Sequence, residues 1–290
     1  MSEPRDPPRL SPPLLALPRR PLALGAQPIL MGILNCTPDS FSDGGLHLRV
    51  EDAVRAALAM VADGATIVDV GGESTRPGAA RVSEAEELAR VVPVIASLRA
   101  RSEVVISCDT TKVAVARAAL DAGADVINDV SAFTFEPAMA ELVAARGCGC
   151  VLMHTRGTPA TMMDDLRYGD VVAEVSEQLL LRAAHAMSAG VRADRIVLDP
   201  GIGFAKGLQD NLRLIRGCGR LGDGAFPILI GPSRKRFIGE LTGVGAASER
   251  GAGTLGAVVA AMFHGAHILR VHDVRAAREA IVVATAIRDA

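Results

Sequence analysis

Short apolar runs alternate along this chain with longer stretches at helical spacing. The runs are PILMGIL (28–34), TIVDV (66–70), VVISC (104–108), DVIN (125–128), CVLM (150–153), RIVLD (195–199), PILI (227–230) and HILRV (267–271). Each has the length and the aliphatic content of a buried strand. Between them, segments such as EDAVRAALAMVADG, SEAEELARVVPVIASLRA and VVAEVSEQLLLRAAHAMSAG repeat apolar residues every three or four positions. This alternation predicts a parallel sheet with right-handed crossovers. The helix-to-strand turns DGA, DAGA, RGCG and HGA place Gly just after each helix, where a left-handed C-cap residue is wanted. Eight such units predict an α/β fold, a single (β/α)8 TIM barrel over 28–290. The rival, an open doubly wound sheet, is disfavoured because no G-x-G-x-x-G follows the first run.

Polar residues cluster after the runs. Asn35 follows the first, and GGESTRPGA (71–79) the second. Asp109 follows the third, Asn128-Asp129 closes the fourth, and His154 follows the fifth. Asp199 ends the sixth, GPSRK (231–235) follows the seventh, and Arg270 and His272 flank the end of the eighth. A barrel opens all its strand ends on one face, and that face holds the active site in barrel enzymes. The opposite turns are short and bland. This asymmetry marks the chain as an enzyme. Taken singly, each residue has an ordinary reading, as a helix cap, a turn or a satisfied core imidazole.

Asp109, Asn128 and Asp199 offer the acceptors that read the N–H edge of a flat nitrogen heterocycle, with Lys235 as donor to a ring carbonyl or nitrogen. Asn35, Thr75, Arg76, Arg270 and His272 are donors suited to an anion of several oxygens.

Composition narrows the picture. The chain has no Trp, one Tyr and seven Phe, yet is 49% hydrophobic, so its core is aliphatic. A net charge of −2 gives no footprint for nucleic acid or membrane. The five cysteines are scattered, and no C-x-x-C occurs, which reads as reduced thiols packed as small hydrophobes. Prolines interrupt residues 1–27, read as a disordered, Pro-rich tail without a signal sequence. A cytoplasmic protein is expected. Residues 37–45 are too long for a turn and read as a lid.

MGILNCTPDSFSDGG (31–45), DVGGESTRPGA (69–79), LDPGIGFAKG (198–207), the SRK of GPSRKRFIG and RVHDV (270–274) resemble the dihydropteroate synthase family. The resemblance extends over about residues 28–290. It implies a transferase of folate biosynthesis. Such an enzyme joins 6-hydroxymethyl-7,8-dihydropterin pyrophosphate to p-aminobenzoate with Mg²⁺, giving 7,8-dihydropteroate and pyrophosphate. The route implied is dissociative, through a cation conjugated with the ring. By resemblance, Asp109, Asn128, Asp199 and Lys235 hold the pterin, and Asn35 is the Mg²⁺ ligand. Asn35, Thr75, Arg76, Arg270 and His272 meet the pyrophosphate. Thr75, Pro77 and Phe204 line the p-aminobenzoate pocket, with Arg236 placed for its carboxylate. Asn35, Asp43, Arg76 and Lys235 form the catalytic set. Family members are usually dimeric, and the Ala-rich stretches 251–264 and 273–289 are candidates for pairing across a homodimer. Departures from the family pattern are Thr155 and Arg236.

Two other readings compete. A pterin-binding methyltransferase explains Asp109, Asn128 and Asp199 but has no need of the 35–43 loop, Arg76 or the Arg-x-His pair. A non-catalytic pterin-binding paralogue has no need of Asn35, Arg76, Lys235 and His272 together.

Overall fold

Eight parallel strands form the centre of the protein. They are β1 (Ile29–Asn35), β2 (Ile67–Gly71), β3 (Val105–Asp109), β4 (Val126–Asp129), β5 (Gly149–Met153), β6 (Ile196–Asp199), β7 (Leu229–Ile230) and β8 (Ile268–Val271). The computed structural model describes residues 14–25, 27–37, 46–74, 81–158, 161–162 and 164–290. From β1 to β6 each strand pairs with the next, and β8 pairs with both β1 and β7. The bridge Leu198↔Ile228 joins β6 to β7 and closes the ring. The expected barrel is therefore present, and each expected strand lies within two residues of its place.

Nine helices among the described residues surround it: α1 (Leu46–Ala62), α2 (Glu84–Arg99), α3 (Val113–Asp121), α4 (Ala138–Arg146), α5 (Val171–Ser188), α6 (Leu208–Arg216), α7 (Arg236–Thr242), α8 (Gly251–Phe263) and α9 (Val274–Asp289). Their starts follow local chemistry. The Asp170 carboxylate accepts from the N–H groups of Val172 and Ala173, and Asp273 accepts from that of Ala276, satisfying donors that a helix end leaves open. The repeated Gly turns take the expected positive φ at Gly64, Gly123, Gly147 and Gly265.

Strand period two divides the side chains between two cores. Outward residues such as Val68, Val70, Ile106, Cys108, Ile127 and Leu269 pack under the helices. Inward residues form a separate cluster low in the barrel: Met31, Ile67, Val105, Val126, Val151, Val197, Leu229 and Ile268, one from each strand. Two positions further along, β1 and β5 stay apolar with Ile33 and Met153, but elsewhere the same inward face changes character. It now carries Asp69, Ser107, Asn128, Asp199 and Arg270, and β3 continues to Asp109.

The expectation of a disordered tail over 1–27 fails for residues 14–25. A hairpin pairs Leu14–Leu15 with Leu22–Ala23 and inserts Leu15, Leu17, Leu22 and Leu24 into the lower barrel cluster. The Ala16 N–H donates to Asp194 O at 2.8 Å, and Arg195 Nε donates to Ala16 O at 3.1 Å. Gly149 at the start of β5 makes room, because a Cβ there would lie 2.5 Å from Leu17 Cδ2. Prolines break the apolar pattern here, yet they leave four leucines free to bury. Residues 1–13 lie outside the described residues.

Candidate active site

The polar layer rests on that apolar floor. Asp69 is its centre. It is fully buried, and its Oδ2 accepts from Asn128 Nδ2 at 3.0 Å and from Arg270 Nε at 2.7 Å. The Arg270 Nη2 also donates to Asp109 Oδ2 at 2.8 Å. One guanidinium thus links the second strand to the third from its place on the eighth, using the fork geometry that suits carboxylates. Burial pushes the Asp109 carboxyl up to about 7, against the pull of Arg270 and with the help of the Asp69 charge.

Asn128 and Asp129 divide their work by strand alternation. Asn128 faces inward. The Asp129 carboxylate faces the other way and accepts from Ser131 N and Ser131 Oγ, both at 2.7 Å, fixing the turn after β4.

Asp199 ends β6 and accepts from the Gly201 N–H at 2.7 Å. Burial raises its pKa, while Lys235, Arg270 and Lys206 draw it down. Gly201 adopts φ +69°, and any Cβ there would lie 2.1 Å from His154 O, so only Gly fits. Lys235 reaches in from the turn after the neighbouring β7, its Nζ 4.1 Å from the centre of the Phe204 ring, a cation–π contact. The turn that carries Lys235 is held in place from α8. Arg234 takes φ +59°, its N–H donates to Thr254 Oγ1 at 3.0 Å, and Arg250 Nη1 donates to its carbonyl at 3.2 Å. Ser233, in the same turn, has its Oγ 2.9 Å from His272 Nδ1 and accepts from the His272 N–H at 3.2 Å.

A second buried cluster lies beside this group. Lys206 Nζ is 3.0 Å from His154 Nδ1 and donates to Phe204 O at 2.8 Å and His154 O at 3.3 Å. Burial pulls the Lys206 ammonium down to about 7 and the His154 imidazole to about 3. His154 therefore serves as an acceptor that ties the loop after β5 to the loop after β6.

The structure brings together Asp109, Asn128, Asp199, Lys235, Phe204, Arg270 and His272 at the strand ends. Asn35 ends β1, in register with Gly71, which is itself in register with Asp109. Arg270, expected to meet the anion, pairs with the carboxylates of Asp69 and Asp109. Arg236 stands apart, exposed on α7, where its Nε donates to Glu240 Oε1 at 2.5 Å. Asp43, Thr75, Arg76 and Pro77 lie outside the described residues. Just before the last three, Glu73 pairs with Lys112, which also pairs with the buried Glu87, and Arg90 Nη1 donates to Gly72 O at 2.7 Å. Asp69 and Ser233 were missed. An acid in the middle of an otherwise apolar strand was the available signal for Asp69.

The five cysteines are all free and buried. Burial pushes the Cys36 thiol up to about 12, which makes it packing rather than a nucleophile.

The family described as "Pterin binding enzyme" matches residues 31–272. Dihydropteroate synthase of Escherichia coli (strain K12) is 47% identical over 261 residues, covering 90% of this chain and 92% of the relative. Dihydropteroate synthase of Xanthomonas albilineans, solved with 4-aminobenzoic acid, superposes with a TM-score of 0.89 at 46% identity, covering 96% of this chain and 99% of that one. The same enzyme in complex with 7,8-dihydropteroate gives a TM-score of 0.86 at 43% identity, covering 96% and 100%. The chain belongs to the pterin-binding enzyme family, among its dihydropteroate synthases.

Proposed function

We propose that this chain condenses 6-hydroxymethyl-7,8-dihydropterin pyrophosphate with p-aminobenzoate, releasing pyrophosphate and forming 7,8-dihydropteroate. The observation that carries the reading is the polar layer of Asp69, Asp109, Asn128, Asp199 and Arg270, closed below by apolar side chains and flanked by Lys235. It offers a deep, one-sided site whose acceptors match the N–H edge of a pterin. Solved relatives hold 4-aminobenzoic acid and 7,8-dihydropteroate, the second substrate and the product of this reaction.

In this reading Asp109, Asn128 and Asp199 grip the ring, and Lys235 donates to it. The bond from the pterin methylene to diphosphate oxygen breaks first. The developing cation is conjugated with the ring, and the buried carboxylates stabilise it. Asn35, Thr75, Arg76, Arg270 and His272 meet the departing anion. The arylamine of p-aminobenzoate is neutral near pH 7; its nitrogen bonds to the methylene carbon without a strong base, and the proton it sheds passes to water or the released diphosphate, with Phe204 and Pro77 assigned to its pocket by resemblance. Arg236, paired with Glu240, would have to leave that partner to reach the carboxylate.

A hard divalent ion favours carbonyl, diphosphate and water oxygens. Asn35, half-buried at the end of β1, offers one such oxygen. The described residues contain no group of three or more His, Cys, Asp or Glu side chains suited to a metal. That donor set fits Mg²⁺ held by Asn35 together with diphosphate and water. Bound there, Mg²⁺ would neutralise charge on the leaving group.

The reading extends to assembly and place. Phe263 on α8 and Val282, Val283 and Ile287 on α9 are large, exposed and apolar, an area suited to a second copy of this chain. Sedimentation equilibrium at the mass of two chains supports a homodimer, and the mass of one refutes it. The buried, unpaired thiols are in keeping with the reducing cytoplasm, and no described helix is long and apolar enough to cross a membrane.

A steady-state assay decides the activity. Purified protein with Mg²⁺ and the pterin pyrophosphate should release pyrophosphate only when p-aminobenzoate is added, with 7,8-dihydropteroate formed in equal amount. Pterin binding without turnover would instead fit a non-catalytic paralogue. Methyl transfer to an added acceptor would fit the methyltransferase reading.

A further inference from the structure

We infer that Asp69 is a positioning residue for the pterin, one that fixes which end of the Asn128 amide faces the ligand. The inference rests on the pterin reading of the site given above. It starts from three facts. Asp69 is wholly buried in the middle of β2, where an acid is costly and no helix start is present for it to cap. Its Oδ2 is shared by Asn128 Nδ2 at 3.0 Å and Arg270 Nε at 2.7 Å. Its Oδ1 has no hydrogen-bond partner among the described residues, and neither does the buried Oγ of Ser107, its register neighbour on β3.

An amide has a donor end and an acceptor end that are nearly identical in shape. Only the network around it decides which end points where. A carboxylate accepts and does not donate, so Asp69 holds the Asn128 NH₂ against itself. The Asn128 carbonyl is then left to meet the ligand. This makes Asn128 an acceptor, in line with Asp109 and Asp199, so that the three acceptors read the amino and N–H groups of one ring edge together. Without Asp69 nothing among the described contacts of Asn128 Nδ2 would favour that orientation over its flip. A flipped amide would present NH₂ to NH₂.

The same carboxylate oxygen keeps Arg270 in place. Arg270 also pairs with Asp109, a residue the ligand is expected to engage. When a ring N–H competes for the Asp109 oxygens, the bond to Asp69 still anchors the guanidinium. Asp69 thus separates two tasks: it stays paired while its neighbours turn to the ligand.

Discrimination between two probes tests this. The probes are 6-hydroxymethylpterin and its counterpart with a carbonyl in place of the ring 2-amino group. Wild-type protein should bind the amino form at least about 10-fold more tightly by calorimetry, as expected when a buried acceptor faces an unmatched acceptor. Asp69→Asn can place its own oxygen at the Oδ2 position, so it should keep the ratio within about threefold while both affinities fall. Asp69→Ala removes the constraint on Asn128 and should lower the ratio by about threefold or more, Asp109 and Asp199 supplying what discrimination remains. A packing defect alone would weaken both probes alike and leave the ratio standing. Should Asp69→Ala keep the wild-type ratio, or Asp69→Asn lose it as fully as Asp69→Ala, the inference is overturned.

A wild-type measurement decides the matter even if Asp69→Ala does not fold. The side-chain NH₂ signals of Asn128, identified by their loss in Asn128→Asp, should be protected from solvent exchange in the free protein. They should also shift little on binding 6-hydroxymethylpterin. A large shift together with new protection on binding would mean that NH₂ faces the ligand, against the inference. Failure of wild-type protein to bind either probe would instead count against the pterin reading itself.

Discussion

Arg270 Nη2 donates to Asp109 Oδ2 at 2.8 Å across 161 positions of sequence, joining the last barrel strand to the third. The contact keeps a buried carboxyl from standing alone, yet burial still pushes Asp109 up to about 7. A proton on Asp109 competes with a ring N–H for the same oxygens. Affinity for the pterin pyrophosphate should therefore fall as pH drops below about 7, and Asp109→Asn should flatten this dependence. The substitution also replaces an acceptor by a partial donor, a loss of about 1.5–3 kcal/mol, or about 10- to 100-fold in affinity. Titration calorimetry from about pH 5.5 to about pH 8 measures both effects. Unchanged affinity in Asp109→Asn would remove this residue from the site.

Ser233 holds the His272 ring in place. Its Oγ accepts from the His272 backbone N–H at 3.2 Å and lies 2.9 Å from Nδ1. With Nδ1 engaged by this hydroxyl, Nε2 is the ring nitrogen left to face an anion. Ser233→Ala should raise the inhibition constant of product pyrophosphate by about 5- to 10-fold, a hydrogen bond's worth. Affinity for p-aminobenzoate should change by less than about twofold. Equal weakening of both would place Ser233 in packing only.

Lys206 gives the fold a pH dependence of its own. The folded protein holds its ammonium only below about 7, whereas an unfolded lysine stays charged to about 10.4. Between those values the unfolded chain binds the additional proton, so raising pH favours the folded state. Compared with Lys206→Met, wild-type protein should gain about 2 kcal/mol between about pH 7 and about pH 9. Urea unfolding of both proteins across that range measures the difference. A constant difference would mean that Lys206 stays charged in the fold.

The hairpin at residues 14–25 should govern stability and leave catalysis alone. Leu15 is 1% exposed in the lower barrel cluster. Leu15→Ala should cost about 2–4 kcal/mol, transfer and cavity together. Thermal unfolding should report this loss, while KM for both substrates stays within about twofold at a temperature where the variant is folded. A changed KM would show that the lower cluster shapes the site above it.

How much of this was legible in the sequence follows from where each residue sits in its strand. Asp109, Asn128, Asp199 and Arg270 stand at or beside the point where an apolar run stops, so the polar break itself announced them. Asp69 does not break its run. It lies between Val68 and Val70, which face the helices, and period two hides one inward acid inside an apolar word. Counting alternate positions instead of the run's end would have found it, because a strand buried on both faces has no cheap place for a carboxylate. Ser233 was hidden differently. Its partner His272 is 39 positions away, and the parallel pairing of β7 with β8 brings them together. In the hairpin, prolines obscured the alternation of Leu15 with Leu17 and of Leu22 with Leu24. Arg236 was legible as a cation, but the chain offers it Glu240 one helical turn away, a nearer partner than any at the mouth.

The leucine stopper has an electrical effect as well as a mechanical one. It fills the barrel below the carboxylates with hydrocarbon, so water can approach Asp69, Asp109 and Asp199 from above alone. Charges resting on such a low-dielectric base feel one another strongly, since screening is lost on the closed side. A ligand that covers the open side removes the remaining solvent and turns every nearby charge toward itself. The whole floor, eight strand residues and four leucines together, thereby sets the strength of the field in which the ring is held, and a single truncated leucine leaves that floor apolar and dry.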